Sequence, residues 1–168
     1  KPTAILIVSA HWESAPITLS NPNTNTPLVY DFSGFDRKFY EMTYNSPDAS
    51  ELAAKVAALM PKTESIAQSN RGLDHGAWSV IKHLYPEANV PVIQLSIDYT
   101  KSGQYHFDLA QKLSALRTKG ILIVGSGNIV HNLRLVDFQN FEKDDYGYDW
   151  AIEIREKVNN YLLDGNFQ

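Results

Sequence analysis

The chain has 168 residues, of which 43% are hydrophobic, and its 15 basic and 19 acidic residues leave a net charge of −4. This length and balance predict a single domain over residues 1–168, and the acidic charge without a basic stripe argues against nucleic-acid binding. Cysteine is absent, which excludes disulfides and thiolate chemistry and fits a cytoplasmic protein, and no apolar run is long enough to span a membrane.

The first half of the chain is predicted to form a buried strand, an exposed β-hairpin, two helices and a further short strand. The first strand is β-branched and bounded by turn signals, whereas the hairpin segments alternate weakly around a turn rich in Asn, Thr and Pro. The second helix begins at Pro47 and ends before Pro61, because proline is tolerated in the first turn of a helix but not in its interior. In chain order, these elements are expected at residues 3–10, 16–19 with 28–31, 36–41, 47–60 and 64–67.

The second half of the chain alternates helices with strong strands. Asp74 is a candidate N-cap for the first of these helices, and the second has the clearest helical period and stops at Gly120. In chain order, we expect a helix at 76–85, a strand at 91–97, a helix at 104–118, a strand at 121–124 and a helix at 149–163. The last helix is expected to turn one apolar face inward: Trp150, Ile154, Val158, Tyr161 and Leu162. This alternation predicts an α/β fold with a largely parallel central sheet flanked by helices.

Two histidines lie just after predicted strands. His11 follows the first strand, and His131 follows the strand at 121–124 after a glycine-rich turn that lacks the spacing of a phosphate-binding loop. Polar groups beyond the carboxyl ends of parallel strands are where open α/β sheets bind ligands. The two imidazoles therefore indicate a metal centre or an acid/base site, although a histidine that bonds a loop carbonyl is an equal interpretation of His11 from position alone.

The other three histidines are weaker candidates on local sequence. His75 follows the helix-capping Asp74, where a turn residue is the more common interpretation, and His83 and His106 are expected at the surface or in packing. Imidazole suits iron, zinc, copper and nickel, so both a non-haem Fe(II) site and a hydrolytic zinc site stay open. Neither an HExxH motif nor a GxSxG motif occurs, which argues against two common hydrolase classes.

Five segments spread along the chain together resemble a known family. They are Val8–Trp12 (VSAHW), Tyr30–Phe35 (YDFSGF), Leu73–Trp78 (LDHGAW), Pro91–Ser96 (PVIQLS) and Gly125–Leu133 (GSGNIVHNL). In this order, they resemble the class III extradiol ring-cleavage dioxygenases, and most closely the DOPA-dioxygenase-type branch of the LigB-like superfamily. The similarity extends over nearly the whole chain.

This resemblance implies a mononuclear metal site that holds Fe(II) in the active enzyme and can be occupied by zinc. It implies that His11 is a metal ligand and that His131 lies at the metal, either as a ligand or as an acid/base residue beside it. It further implies that His75 is a catalytic residue that lines the substrate pocket and handles the proton of a catechol hydroxyl. The implied partners are a small aromatic diol, DOPA-like or related, and O2.

The family also takes metal histidines from a His-Gly-Ser-Pro-like segment before the first strand and from a Pro-x-x-Glu-His-like segment near the C-terminus. Neither segment occurs in these 168 residues. We therefore expect the central portion of a longer enzyme, inactive by itself. Two alternatives remain, a non-catalytic metal-binding scaffold of the same fold and a zinc-dependent hydrolase. A homo-oligomer is also open, because the aromatic-rich segment 32–44 is suited to packing on a partner chain.

Overall fold

The computed structural model describes residues 1–64, 66–140, 142–144 and 146–166. The chain divides into two compact units, 1–127 and 128–168, so the prediction of a single domain stays a prediction. The first unit contains strands β1 (Ala4–Ser14), β2 (Thr18–Leu19), β3 (Ala67–Gln68), β4 (Val92–Asp98) and β5 (Ile121–Ser126) and helices α1 (Ser50–Leu59), α2 (His75–Leu84) and α3 (Gly103–Leu113). The second contains α4 (Asp149–Leu163). Over the described residues, no helix combines the length and the apolar character needed to cross a bilayer.

The five strands form one sheet in the order β3-β2-β4-β1-β5. Strand β1 lies between β4 and β5 and is parallel to both, so that Ile5 is level with Val92 on one side and with Leu122 on the other. Strand β2 runs antiparallel to its neighbour β4 and parallel to its other neighbour β3. The predicted α/β fold with a largely parallel sheet is confirmed, and the carboxyl ends of β1, β4 and β5 meet at one edge.

Successive residues of β1 point to opposite faces of the sheet, because side chains alternate along a strand. Leu6 is fully buried on the face covered by α1 and α3, together with Leu52, Val56, Ile93, Leu109, Leu113 and Leu116. Ile5 and Ile7 are fully buried on the face covered by α2, together with Tyr44, Leu73, Trp78, Ile81 and Val92. Helices therefore flank both faces of the sheet, and α2 is the helix nearest the predicted histidine site.

Two sequence predictions about the first 31 residues are wrong. Strand β1 continues past His11 to Ser14, and its pairing with β4 shifts register between Val8 and Glu13, so His11 lies in an irregular part of the strand rather than at its exit. The expected hairpin does not form, because β2 joins the sheet beside β4 and β3 while residues 28–31 have no strand structure. Apolar and polar residues alternate only weakly over 16–19, so the sequence did not indicate that Ile17 to Ser20 are buried by partners far away in the chain.

The remaining elements mostly lie where they were expected. A 3-10 helix at Arg37–Phe39 falls in the predicted 36–41 segment, and β3 lies at the end of the expected 64–67 strand, of which residue 65 is outside the described residues. The predicted helix 104–118 divides into α3 and a 3-10 helix, which ends at Gly120 with a φ of +74°. Helix α4 has its predicted bounds, but none of its residues is buried, so the expected inward face is wrong.

Candidate active site

A buried polar pair fixes the start of α2 against the sheet. The Asp74 backbone N–H donates to Gln94 Oε1 at 3.0 Å, and Gln94 Nε2 donates to Asp74 Oδ2 at 2.6 Å. The other Asp74 oxygen caps the helix by accepting from the Ala77 N–H at 2.9 Å. Because both side chains are completely buried, α2 begins at one place on β4, and this places His75, its first residue, at the sheet edge.

The first turn of α2 also lies directly against the ends of β1 and β5. A Cβ atom on Gly76 would lie 2.5 Å from Ser9 Oγ and 2.8 Å from His11 Cδ2, so only glycine allows this approach. The Ser126 hydroxyl donates to the Gly76 carbonyl at 2.7 Å. As a result, the imidazole rings of His11 and His75 have centroids 4.1 Å apart.

Asp31 is the third member of the site and comes from the loop after β2. Its Oδ1 lies 2.7 Å from His75 Nδ1 and accepts the His75 backbone N–H at 3.1 Å. Partial burial by itself raises the pKa of the Asp31 carboxyl, but the hydrogen bonds from the His75 side chain and backbone outweigh it, and the pKa lies below its usual value. A neutral His75 that donates from Nδ1 to this carboxylate presents the lone pair of Nε2 to a ligand.

His11, Asp31 and His75 form a group whose potential ligand atoms all lie within 4.8 Å of one another. Two imidazoles and one carboxylate are a donor set that fits a divalent transition metal such as iron or zinc. The hydrogen bond between Asp31 and His75 also has the form of the carboxylate–histidine pair that orients imidazoles at metal sites. Sequence reasoning assigned no role to Asp31, and its signal was its place in the family-like segment Tyr30–Phe35.

An aromatic cavity of about 230 Å³ opens beside His75. Its lining is Phe32, Phe35, Phe39, His75, Trp78 and Ser79. The Phe32 ring meets the His75 ring edge-on, with centroids 5.5 Å apart, and lies 6.1 Å from the Trp78 ring. A cavity with aromatic walls and one imidazole, that of His75, suits a planar aromatic ligand with a hydroxyl proton that the imidazole can accept.

The structure thus brings His11 and His75 together in the first unit, while His131 belongs to the second. His131 precedes a 3-10 helix at Leu133–Leu135, which Asn132 caps by accepting from the Arg134 N–H at 3.1 Å. The two histidines set aside on sequence have the roles expected of them. His83 is exposed, and His106 is a packing residue whose Nε2 accepts the Asp98 N–H at 3.1 Å.

The chain is similar in sequence and in fold to known proteins. The chain is 39% identical over 159 residues to the 4,5-DOPA dioxygenase extradiol of Escherichia coli K12, covering 94% of this chain and 57% of that protein. It is 40% identical over 134 residues to the protein of the same name from Beta vulgaris, covering 78% and 50%. The crystal structure of an uncharacterized protein from Escherichia coli K12 superposes with a TM-score of 0.77 at 35% identity, covering 96% and 59%.

The chain therefore spans between half and three-fifths of the length of these similar proteins. A family profile described as the catalytic LigB subunit of aromatic ring-opening dioxygenase matches residues 1–168 in full. Together with the sheet-edge group of His11, Asp31 and His75, this match identifies the chain as a member of the LigB family of aromatic ring-opening dioxygenase catalytic subunits.

Proposed function

We propose that the protein containing this chain is an extradiol dioxygenase that opens the ring of a catechol, DOPA-like or related, with O2 at a mononuclear Fe(II) site. The observation that carries the proposal is the group of His11, Asp31 and His75 directly beside a cavity lined by aromatic rings. The relatives from Escherichia coli and Beta vulgaris are both named 4,5-DOPA dioxygenase extradiol, and these names support the same reaction class.

His11 and His131 are the proposed metal ligands of this chain. Support for His11 comes from its place in the three-residue group, and support for His131 comes from the resemblance of its segment to the family. When bound, Fe(II) supplies Lewis acidity toward the catechol oxygens and the one-electron chemistry that ground-state O2 requires, which zinc does not offer.

His75 is the proposed acid/base residue and contacts the substrate. With Nδ1 donating to Asp31, its Nε2 is the atom that accepts a proton from a catechol hydroxyl. The resulting imidazolium is stabilised by the Asp31 carboxylate, which stays ionised because its pKa is already lowered. Phe32 and Trp78 hold the aromatic ring in place and exclude water from the side of the cavity that they form.

The test uses the full-length protein, reconstituted anaerobically with Fe(II) and then mixed with a panel of catechols and O2. We expect oxygen uptake and the yellow colour of a ring-opened product. His131→Ala should abolish both, and His75→Gln should lower kcat by about 10²- to 10⁴-fold while iron stays bound. His83→Gln is the matched control, because His83 is an exposed histidine of the same helix, and it should behave as wild type.

Three results would contradict the assignments. Failure to consume oxygen with any catechol, despite bound iron, would favour a metal-binding scaffold that lacks the reaction. Hydrolysis of esters or amides with zinc, without oxygen, would favour a hydrolase. Loss of iron from His75→Gln would make His75 a metal ligand rather than the residue that handles the proton.

A further inference from the structure

We propose that Arg71 is an anion-binding residue beside the active site and that it selects catechols whose side group carries a carboxylate. The inference rests on the proposed function, because that function is what places a catechol at His75. It adds a specificity-determining residue that neither the motifs nor the group of His11, Asp31 and His75 contains.

The guanidinium of Arg71 is held in place but has unused hydrogen-bonding capacity. Its Nε is buried and has no hydrogen-bond partner in the part of the chain that the structure describes. The guanidinium carbon lies 5.4 Å from the centre of the Trp12 ring, and the side chain keeps 29% of its surface exposed. Arginine offers five N–H donors in a fixed plane, so an acceptor that arrives from solvent meets the exposed part of the Arg71 side chain rather than the buried Nε.

Arg71 lies one carboxylate away from His75. Its Nη2 is 3.7 Å from Asp31 Oδ2, which is close enough for an ion pair but too long for a hydrogen bond. The opposite oxygen, Oδ1, is the atom that bonds His75 at 2.7 Å. Asp31 therefore accepts its short hydrogen bonds from His75, and its contact with Arg71 is an ion pair that leaves Nε without a partner.

The chemistry of the neighbouring cavity indicates what that acceptor is. Its aromatic lining can hold a ring but offers no charge to a polar side group. Two ion pairs of the described residues involve Asp31, one with Arg71 and one with His75. Of these two partners, Arg71 is the one that carries a permanent positive charge. A planar guanidinium matches a carboxylate with two parallel hydrogen bonds, whereas it would repel an ammonium group.

Arg71 also has a simpler role to consider, which is to balance the charge of Asp31. In that role, its loss would weaken all substrates alike by disturbing His75. An anion-binding residue instead discriminates between two ligands that differ only in a carboxylate. The test therefore compares matched ligands rather than activity alone.

The first measurement is calorimetry on the full-length metal-free protein with 3-phenylpropionate and its neutral amide, 3-phenylpropanamide. Neither ligand is a catechol, so the result does not depend on turnover. We expect the wild type to bind the carboxylate at least about tenfold more tightly, because hydrogen bonds to a charged group are stronger than those to a neutral amide. Arg71→Gln should remove this preference and Arg71→Lys should keep part of it, while Arg37→Gln, at an arginine whose side chain is 90% exposed, should retain it fully.

The second measurement uses the iron-loaded enzyme with 3-(3,4-dihydroxyphenyl)propionate and 4-ethylcatechol. Arg71→Gln should lower the ratio of their kcat/KM values by about tenfold or more, mainly through the KM of the carboxylate. Equal wild-type affinity for the acid and the amide, or an unchanged ratio in Arg71→Gln, would overturn the proposal. Preference for the acid with no oxygen uptake from any catechol would refute the proposed function and leave the anion site standing.

Discussion

Gly76 is the position at which the site has no room for a side chain. An added Cβ would lie 2.8 Å from His11 Cδ2 and 2.5 Å from Ser9 Oγ, both of which are side-chain atoms of β1. We expect Gly76→Ala to destabilise the fold by about 1–3 kcal/mol through overpacking and to reduce iron retention, because the His11 ring must move. Urea unfolding and iron content per chain measure the two effects.

The control for this substitution is Gly103→Ala, at the first residue of α3, where an added Cβ meets nothing within 4 Å. This variant should be neutral or slightly more stable, since alanine favours a helix over glycine. If Gly76→Ala kept both the stability and the iron of Gly103→Ala, then the close approach of α2 to β1 would not position His11.

At the residue scale, the sequence drew attention to residues in predicted elements and family-like segments, but not to residues whose contacts depend on the path of a loop. His11 was proposed from its place after a predicted strand and His75 from the resemblance to the family; the structure places their rings 4.1 Å apart, and their roles stay predictions. Asp31 was given no role, because its contact with His75 depends on the path of the loop that follows β2. Arg71 was also missed, because a charged residue in a loop is normally expected to be solvated rather than to face a site.

At the scale of elements, α2 depends on one buried polar pair. Replacing Gln94 with leucine leaves Asp74 Oδ2 without its donor in a completely buried place. We expect Gln94→Leu to cost about 2–4 kcal/mol, because a completely buried carboxyl oxygen loses its hydrogen-bond donor, and to lower turnover by displacing His75. Chemical denaturation measures the cost, and oxygen uptake measures the second effect.

Gln104→Leu is a suitable comparison, because this exposed residue of α3 donates to its helix neighbour Asp108, and its replacement should change stability by less than about 0.5 kcal/mol. Adding Asp74→Ala to Gln94→Leu should cost less than the sum of the two single changes, because the two residues share their hydrogen bonds. Additive costs would show that the pair does not act as a unit.

Elements whose pattern is local were predicted well, and those that need a distant partner were not. Helix α2 and its Asp74 cap follow from neighbouring residues, and the cap is present with an Oδ1 to N distance of 2.9 Å. Strand β2 was assigned to a hairpin, because its true partner β4 lies more than 70 residues further along the chain. Helix α4 was bounded correctly from its period, but a period predicts which residues share a face and not whether that face is buried.

At the scale of the whole molecule, two tyrosines with raised pKa values, Tyr44 and Tyr105, make the free energy of unfolding depend on alkaline pH. Burial and the neighbouring Tyr85 raise the pKa of Tyr44 to about 12 from its ordinary value of 10.0. Burial and the hydrogen bond to Glu64 raise the pKa of Tyr105 to about 12 as well. Both phenols hold their protons more tightly in the folded chain than in the unfolded chain.

The free energy of unfolding should therefore be insensitive to these two groups below pH 10 and should fall as the pH rises from about 10 to 12. In that window the unfolded chain has released protons that the folded chain still holds, so alkali favours unfolding. Tyr44→Phe should cost about 1 kcal/mol at neutral pH, because the 2.9 Å hydrogen bond to the Tyr85 carbonyl is lost, but should make the alkaline decline shallower. Tyr99→Phe, at a tyrosine that is 64% exposed, should leave the decline as in wild type. Urea titrations at stepped pH provide the comparison, and equal slopes for wild type and Tyr44→Phe would rule out Tyr44 as a source of alkaline instability.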